Sequence, residues 1–230
     1  MSNSRPAPAA PSETGFEDGL AWARFEPDGP PTGGVVIFHG AGSRKENHYD
    51  IAREMTGAGL AAICFDQRGH GESDGPMDGR IVTDAVQIGR LFDGLPIGMR
   101  GSSMGGWVTL AAAEALGAKA IVAICPTTAA QLSEGVRSGR LPFDADAELL
   151  CSELSKGDPP PPSMPTLLLH ASGDEVVPVG RSRELAPLLC PGSRYLEVPG
   201  GHHRSLQHDS EITALTVRFL AQYLRTADAD

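Results

Sequence analysis

The sequence has little positive charge, few aromatic residues and no long apolar run. Its 230 residues include 19 basic and 29 acidic side chains, which leaves a formal net charge of −10. Because nucleic acids and anionic membrane surfaces attract basic proteins, this balance argues against both as partners. No segment approaches the roughly 18 apolar residues of a membrane-spanning helix, and no basic segment precedes an apolar one at the start. We therefore expect neither a membrane anchor nor a secretory leader.

Cysteine is also scarce, and the spacing of the four cysteines resembles no metal-binding motif. Cys64 and Cys125 lie inside apolar runs and are typical of small buried hydrophobic residues. Free thiols in a chain without a secretory leader are typical of the cytoplasm, which is the predicted location. The sequence predicts no bound metal and no cofactor, and it leaves the oligomeric state open.

The length fits one domain with a single core. Residues 1–14 are rich in proline, alanine and serine, which predicts a disordered tail before a domain over residues 15–230. After an alternating strand at Leu20–Phe25, short apolar runs alternate with helix-like segments up to a final helix at Ser210–Leu224. This alternation predicts an α/β fold with a doubly wound, mostly parallel sheet of about seven strands.

A serine bracketed by two glycines stands between a predicted strand and a predicted helix. The segment Gly101-Ser102-Ser103-Met104-Gly105 has the pattern G-x-S-x-G, in which Ser103 is the central residue. Small flanking residues are required where a nucleophile sits on a sharp, strained turn, and the positive end of the following helix faces the oxygen bonded to it. The pattern predicts Ser103 as a nucleophile, and the alternative is a glycine-rich turn without chemistry.

An acid and a histidine follow in the order that a serine triad has on such a fold. Asp174 comes shortly after a buried strand and is predicted to orient a histidine, although capping of the next helix is an alternative role. His202 and His203 follow the last strand through a Pro-Gly-Gly turn, and only one of two adjacent side chains on an extended loop reaches Ser103. Spacing from the turn favours His203 as the base, whereas counting from its second glycine favours the neighbour.

Two backbone N–H groups are candidates for binding a developing oxyanion. Ala41 follows His39-Gly40 at the end of a predicted strand, and Met104 follows the predicted nucleophile. Small residues let the backbone approach a substrate closely, so these two N–H groups are predicted to form an oxyanion hole. A glycine-rich turn without this role is the alternative.

A long segment separates two predicted core strands. Residues 127–165 have weak periodicity, one short predicted helix near Asp144–Leu154, and a proline run. Long excursions of this kind usually cover an active site, so the segment is predicted to be a short cap, and the alternative is a surface insertion without a role. Because it has no strongly apolar, aromatic-rich helix pair, small or medium acyl groups are favoured over lipid chains. Its few basic residues do not favour highly charged acyl carriers.

Together these motifs resemble the serine hydrolase branch of the α/β-hydrolase superfamily. The matching segments are His39–Gly42, Asp66–Ser73, Gly101–Gly105, Gly173–Pro178 and Gly200–His203. The resemblance implies the α/β-hydrolase fold, with Ser103 as nucleophile, Asp174 as acid and a histidine as base. It also implies an oxyanion hole from Ala41 and Met104. The departures from the family are a reduced amino-terminal hairpin and a short cap.

The resemblance implies a cofactor-free enzyme that cleaves small to medium carboxylic esters through an acyl-enzyme intermediate. Its partner would be a small acyl compound. Thioester or amide cleavage on the same triad is an alternative, as is a non-catalytic small-molecule sensor on the hydrolase fold. The sequence does not identify the natural substrate.

Overall fold

The computed structural model describes residues 8–225, which form one eight-stranded sheet flanked by helices. In chain order, the strands are β1 (Glu13–Glu17), β2 (Leu20–Phe25), β3 (Gly34–Phe38), β4 (Ala61–Phe65), β5 (Ile97–Ser102), β6 (Ala120–Ile124), β7 (Thr166–Ala171) and β8 (Arg194–Val198). The helices are α1 (Tyr49–Gly57), α2 (Ile81–Gly89), α3 (Met104–Leu116), α4 (Ala129–Arg137), α5 (Ala147–Leu154), α6 (Gly180–Leu185) and α7 (Ser210–Leu224). Within this described part of the chain, no helix has the length and apolar character needed to cross a bilayer.

The sheet has the order β1-β2-β4-β3-β5-β6-β7-β8, and its strands β3, β4, β6 and β7 are buried on both faces. Strand β2 runs antiparallel to β1 and β4, and all other neighbouring strands are parallel. Val35 and Ile37 of β3 point into one core, and Val36 and Phe38 point into the other. Helices α1 and α7 cover the first core, whereas α2 and α3 cover the second. The predicted doubly wound, mostly parallel sheet is confirmed, with eight strands instead of about seven.

The eighth strand corrects the prediction of a disordered tail over residues 1–14. The first two residues of β1 fall inside that range, and β1 forms a hairpin with β2 through Asp18 and Gly19. Both turn residues have left-handed backbone angles, with φ of 48° and 75°, as a tight two-residue hairpin requires. The Asp-Gly pair is therefore a hairpin signal that the polar composition of the segment obscures. The expectation of a reduced hairpin is wrong, because β1 pairs with β2 along its whole length. Residues 1–7 of the predicted tail lie outside the described range.

The segment between β6 and β7 contains two helices, whereas the sequence predicts one. Helix α5 lies inside the predicted range Asp144–Leu154, and α4 is not predicted. Thr128 and Gln131 form a capping box at the start of α4, in which each side chain accepts a hydrogen bond from the other residue's backbone N–H. This T-x-x-Q spacing is visible in the sequence and marks a helix start. Leu132 and Leu154 anchor the two helices in the core, so the segment is packed against the domain.

Candidate active site

Ser103 occupies a strained turn between β5 and α3. Its φ of 55° lies in the left-handed region, which costs a non-glycine residue about 1–3 kcal/mol. Its N–H donates to the Ile124 carbonyl oxygen at 2.9 Å. A Cβ added at Gly101 would lie 2.0 Å from the Gly105 carbonyl oxygen, and one added at Gly105 would lie 2.4 Å from the Phe38 carbonyl oxygen. The two glycines therefore permit the close approach of strands and helix that holds Ser103 in this conformation.

The ring of His203 joins Ser103 to Asp174. Its Nε2 lies 2.9 Å from Ser103 Oγ, and its Nδ1 lies 2.7 Å from Asp174 Oδ2. The Asp174 side chain is fully buried, whereas that of His203 is 13% exposed. His202 is exposed, and its Nδ1 accepts a hydrogen bond from the backbone of Arg204. The structure thus brings the serine, the acid and one histidine together, and the histidine that reaches Ser103 is His203.

The carboxylate of Asp174 is held in an orientation that faces the histidine. Its Oδ1 accepts hydrogen bonds from the N–H groups of Val176 and Val177, at 2.9 and 2.8 Å. Burial acts to raise the pKa of Asp174, but the hydrogen bonds from His203 and the two backbone N–H groups outweigh it and hold this pKa below its ordinary value. The ionised carboxylate therefore accepts Nδ1–H, which leaves Nε2 free to accept the Ser103 proton.

The loop that carries His203 is attached to the strand that carries Ser103. Gln207 lies four residues after His203, and its side-chain Oε1 accepts a hydrogen bond from Ser102 Oγ at 3.0 Å. The backbone oxygen of Gln207 accepts a second bond from Arg100 Nη2 at 2.8 Å. Both donors lie on β5 and are buried. Sequence reasoning misses this attachment, and its one visible signal is a charged residue, Arg100, within a buried strand.

Ala41 and Met104 both line the cavity beside Ser103. Met104 is the first residue of α3, and the first N–H groups of a helix have no acceptor within it. The loop that contains Ala41 is fixed on its far side, because the Gly42 N–H donates to His70 Nε2 at 3.1 Å. These positions suit two donors to an oxygen bonded to Ser103, and the assignment of an oxyanion hole stays a prediction.

A second buried histidine holds the start of the same loop. His39 Nε2 accepts a hydrogen bond from the Gln67 N–H at 3.0 Å, and its Nδ1 donates to the Gly40 carbonyl oxygen at 2.9 Å. Burial, and then the nearby ring of His70, lowers the pKa of His39 to about 4. Burial likewise lowers the pKa of His70. Both rings are therefore neutral near pH 7 and can accept the backbone hydrogen bonds that shape the loop.

A cavity of about 580 Å³ opens on one side of Ser103. Helix α4 and the residues after it form one wall, and the loop after Asp174 forms the other. The apolar residues of the lining are Ala41, Met104, Leu132, Leu141, Pro142, Val176 and Val177, and the charged ones are Glu134, Arg140, Glu175 and Arg204. Residues of the predicted cap segment therefore border the space next to Ser103.

A second cavity, of about 370 Å³, meets the first at Ser103 and His203. Its polar lining side chains are Ser43, Asn47, Arg204, Gln207 and His208. Among residues 8–225, no carboxylate contributes to this lining. The two cavities differ in character, because the larger has an apolar wall and the smaller is lined mainly by polar side chains.

Comparison with protein-family models identifies one match. The model described as "Serine aminopeptidase, S33" matches residues 29–143, which is half of the chain. The matched range begins before β3 and ends after α4, so it includes Ala41, Ser103 and Met104.

Curated relatives of the chain include two lipases. Human monoglyceride lipase is 33% identical over 100 residues, which cover 39% of this chain and 33% of the lipase. Monoacylglycerol lipase from Mycolicibacterium smegmatis is 32% identical over 96 residues, which cover 38% of this chain and 34% of the lipase. The chain thus spans about a third of the length of the curated relatives it matches.

Solved structures resemble the chain over most of its length. Monoacylglycerol lipase from Paleococcus ferrophilus has a TM-score of 0.69 and 21% identity, and the likeness covers 89% of this chain and 99% of that one. Est1E from Butyrivibrio proteoclasticus, with ferulic acid bound, has a TM-score of 0.70 and 22% identity, with 92% and 99% covered. At these identities the likeness shows the shared α/β fold.

Proposed function

The chain belongs to the serine aminopeptidase S33 family of α/β-hydrolases, and we propose that it hydrolyses small to medium carboxylic esters through an acyl-enzyme intermediate. The observation that carries this proposal is the hydrogen-bonded path from Ser103 Oγ through His203 to Asp174, with distances of 2.9 and 2.7 Å. A nucleophile, a base and an orienting acid in contact are the groups that acyl transfer requires. Two cavities that meet at Ser103 give room for the two halves of an ester.

In the proposed mechanism, Ser103 Oγ attacks the ester carbonyl carbon while His203 Nε2 takes the hydroxyl proton. Asp174 stabilises the resulting imidazolium, and the N–H groups of Ala41 and Met104 donate to the oxyanion. The C–O bond to the alcohol then breaks as His203 gives its proton to the leaving oxygen. A water molecule, activated by the same ring, releases the acid and restores Ser103.

The two cavities support an assignment of the substrate's halves. We place the acyl group in the larger cavity, because its wall contains Leu132, Leu141 and Pro142. The alcohol then enters the smaller cavity, whose polar side chains suit an alcohol with further oxygen atoms. Two relatives are named as lipases of monoglycerides. The alcohol of a monoglyceride has further oxygen atoms, which supports this placement. The charged residues of the larger cavity disfavour a long hydrocarbon chain.

Two further parts of the proposal concern domain organisation and location. Residues 127–165 supply much of the wall of the larger cavity, which supports their role as a short cap on a single domain that begins with β1. All four cysteines are free thiols, and three of them are buried, which supports a location in the reducing cytoplasm.

Steady-state hydrolysis of p-nitrophenyl esters from acetate to palmitate tests the proposed activity, beside a thioester and an anilide of the same acyl group. We expect kcat/KM to be highest for a short or medium acyl ester, to fall for palmitate, and to be lost in Ser103→Ala. A preference for palmitate would contradict the substrate size. Faster cleavage of the thioester or anilide would contradict ester hydrolysis, and tight binding without turnover would show a sensor.

A further inference from the structure

Three side chains that can bind a metal ion meet beside the proposed triad. Among residues 8–225, Cys125, Asp174 and His203 each offer one ligand atom, and these atoms all lie within 4.8 Å of one another. Cys125 directly follows β6, is 1% exposed, and has a left-handed φ of 44°. The proposed reaction uses the carboxylate and the imidazole, but it gives no role to this thiol.

We propose that Cys125, Asp174 and His203 form an inhibitory Zn²⁺ site, in which the ion binds His203 and prevents it from acting as the base for Ser103. The inference rests on the proposed function, because the inhibition consists in the loss of His203 as a base. Thiolate, imidazole and carboxylate are all ligands of Zn²⁺, and the thiolate disfavours Mg²⁺ and Ca²⁺. Water completes a tetrahedral set of four ligands.

Zinc binding needs only a small movement of the three ligand atoms, and we assign this movement to His203. Zn²⁺ bonds of about 2.0–2.3 Å place tetrahedral ligand atoms about 3.5 Å apart. Cys125 is fixed by its N–H bond of 2.7 Å to the Leu169 carbonyl oxygen. Asp174 is fixed through Oδ1, which leaves Oδ2 facing His203. The His203 side chain is partly exposed and lines both cavities, so the ion can reach it from the cavity side and the ring can turn towards the ion.

Binding exchanges protons and changes no oxidation state. The Zn–S bond forms as the Cys125 thiol releases its proton to water. The Zn–N bond replaces the proton on His203 Nδ1, and the ring stays neutral because Nε2 gains one proton from water. One proton is released in total. The ring is then the tautomer with Nε2–H, which cannot accept the proton of Ser103, so the nucleophile is no longer activated.

Zinc titration of the purified protein tests the site through both activity and binding. We expect one Zn²⁺ per chain, measured by competition with a zinc-sensitive dye, and inhibition of ester hydrolysis that EDTA reverses. Cys125→Ala should raise the half-inhibitory zinc concentration more than tenfold, because loss of even an outer-shell partner costs about 10–100-fold in zinc affinity. Each variant is compared with its own zinc-free rate. Cys125→Ser preserves the size of the side chain and serves as the second variant if Cys125→Ala does not fold.

Three matched controls make the outcome decisive. Cys190→Ala changes a partly exposed thiol and should keep the wild-type sensitivity. Ser103→Ala has no nucleophile but retains all three ligands, so it should bind one Zn²⁺ with unchanged affinity, and this result separates failure of the site from failure of the proposed function. His202→Ala should keep the sensitivity. Wild-type sensitivity in both Cys125 variants, loss of sensitivity in His202→Ala, or absent binding in Ser103→Ala would each overturn the proposal.

Discussion

At the scale of single residues, backbone geometry decides which of two adjacent serines can react. Ser103 has the left-handed φ of the turn and faces the ring of His203, whereas Ser102 is the last residue of β5 and its hydroxyl donates a hydrogen bond to Gln207. The glycine bracket around Ser103 predicts this difference, because only a residue in the strained turn needs small neighbours on both sides. The assignment of Asp174 as the partner of the histidine follows from chain order, because the acid lies between the nucleophile and the histidine in the sequence.

His203 and His202 provide a direct comparison at this scale. We expect His203→Ala to lower kcat about a thousandfold or more, because removal of a triad base leaves the nucleophile unactivated. His202→Ala should change kcat less than about tenfold, since this side chain is exposed and its Nδ1 is bonded to Arg204. The measurement is steady-state hydrolysis of p-nitrophenyl butyrate. Loss of turnover in His202→Ala with activity retained in His203→Ala would reverse the assignment.

At the scale of elements, contacts at the end of β5 position the base next to the nucleophile. Ser102 and Arg100 point to the same side of the strand and both bind Gln207, on the loop that carries His203. We expect Gln207 to be a positioning residue. Its loss would leave the base present but less well aligned with Ser103.

Ser102→Ala and Gln207→Ala test this positioning. Each removes the same hydrogen bond, so each should lower kcat about three- to tenfold, as expected for the loss of about 1 kcal/mol. Because neither residue lines the larger cavity, where the acyl group is placed, KM should change little with an ester of a simple alcohol. The double variant should be no slower than the slower single one, since both residues act through one bond. Additive losses, or a rise in KM without a fall in kcat, would contradict the role.

Prediction from the sequence succeeds for the buried strands and fails for one largely exposed strand, β1, and one short helix, α4. Runs such as Val35–Phe38 are buried on both faces, so their apolar character is continuous and easily identified. Strand β1 is largely exposed and therefore has no such pattern, and only the Asp-Gly turn marks it. Helix α4 is short and shares its apolar residues with the cavity wall, so its capping box is a better signal than its periodicity. The hydrogen bonds from β5 to Gln207 join residues that are distant in sequence, so no local pattern predicts them.

At the scale of the whole molecule, buried neutral histidines predict sensitivity to acid. Burial is the main cause of the lowered pKa of His39, to about 4 from an ordinary 6.5, and it also lowers the pKa of His48 and His70. Between these pH values the unfolded chain binds more protons than the folded one. Stability is therefore complete above about pH 6.5 and falls as the pH approaches 4, by up to about 1.4 kcal/mol per pH unit for each such histidine. Protonation of His39 removes the acceptor of the Gln67 N–H, which is one of the hydrogen bonds that hold the loop before Ala41.

Urea unfolding followed by tryptophan fluorescence measures this effect. We expect the free energy of unfolding to be constant from pH 8 to 7 and to decline between pH 6.5 and 4.5. His39→Asn should reduce the slope by up to one proton. A flat profile from pH 6.5 to 4.5 would contradict the account of these histidines.

The central claim is that Ser103 is the covalent nucleophile, and labelling with a fluorophosphonate tests it most directly. Intact-mass analysis should show one adduct per chain, and peptide mapping should place it on Ser103. Ser102→Ala should still be labelled to completion, although more slowly, because it removes the neighbouring hydroxyl but keeps Ser103 and the His203 ring, whereas Ser103→Ala should not be labelled. Full labelling of Ser103→Ala, or an adduct mapped to any other residue in the wild-type protein, would contradict the claim.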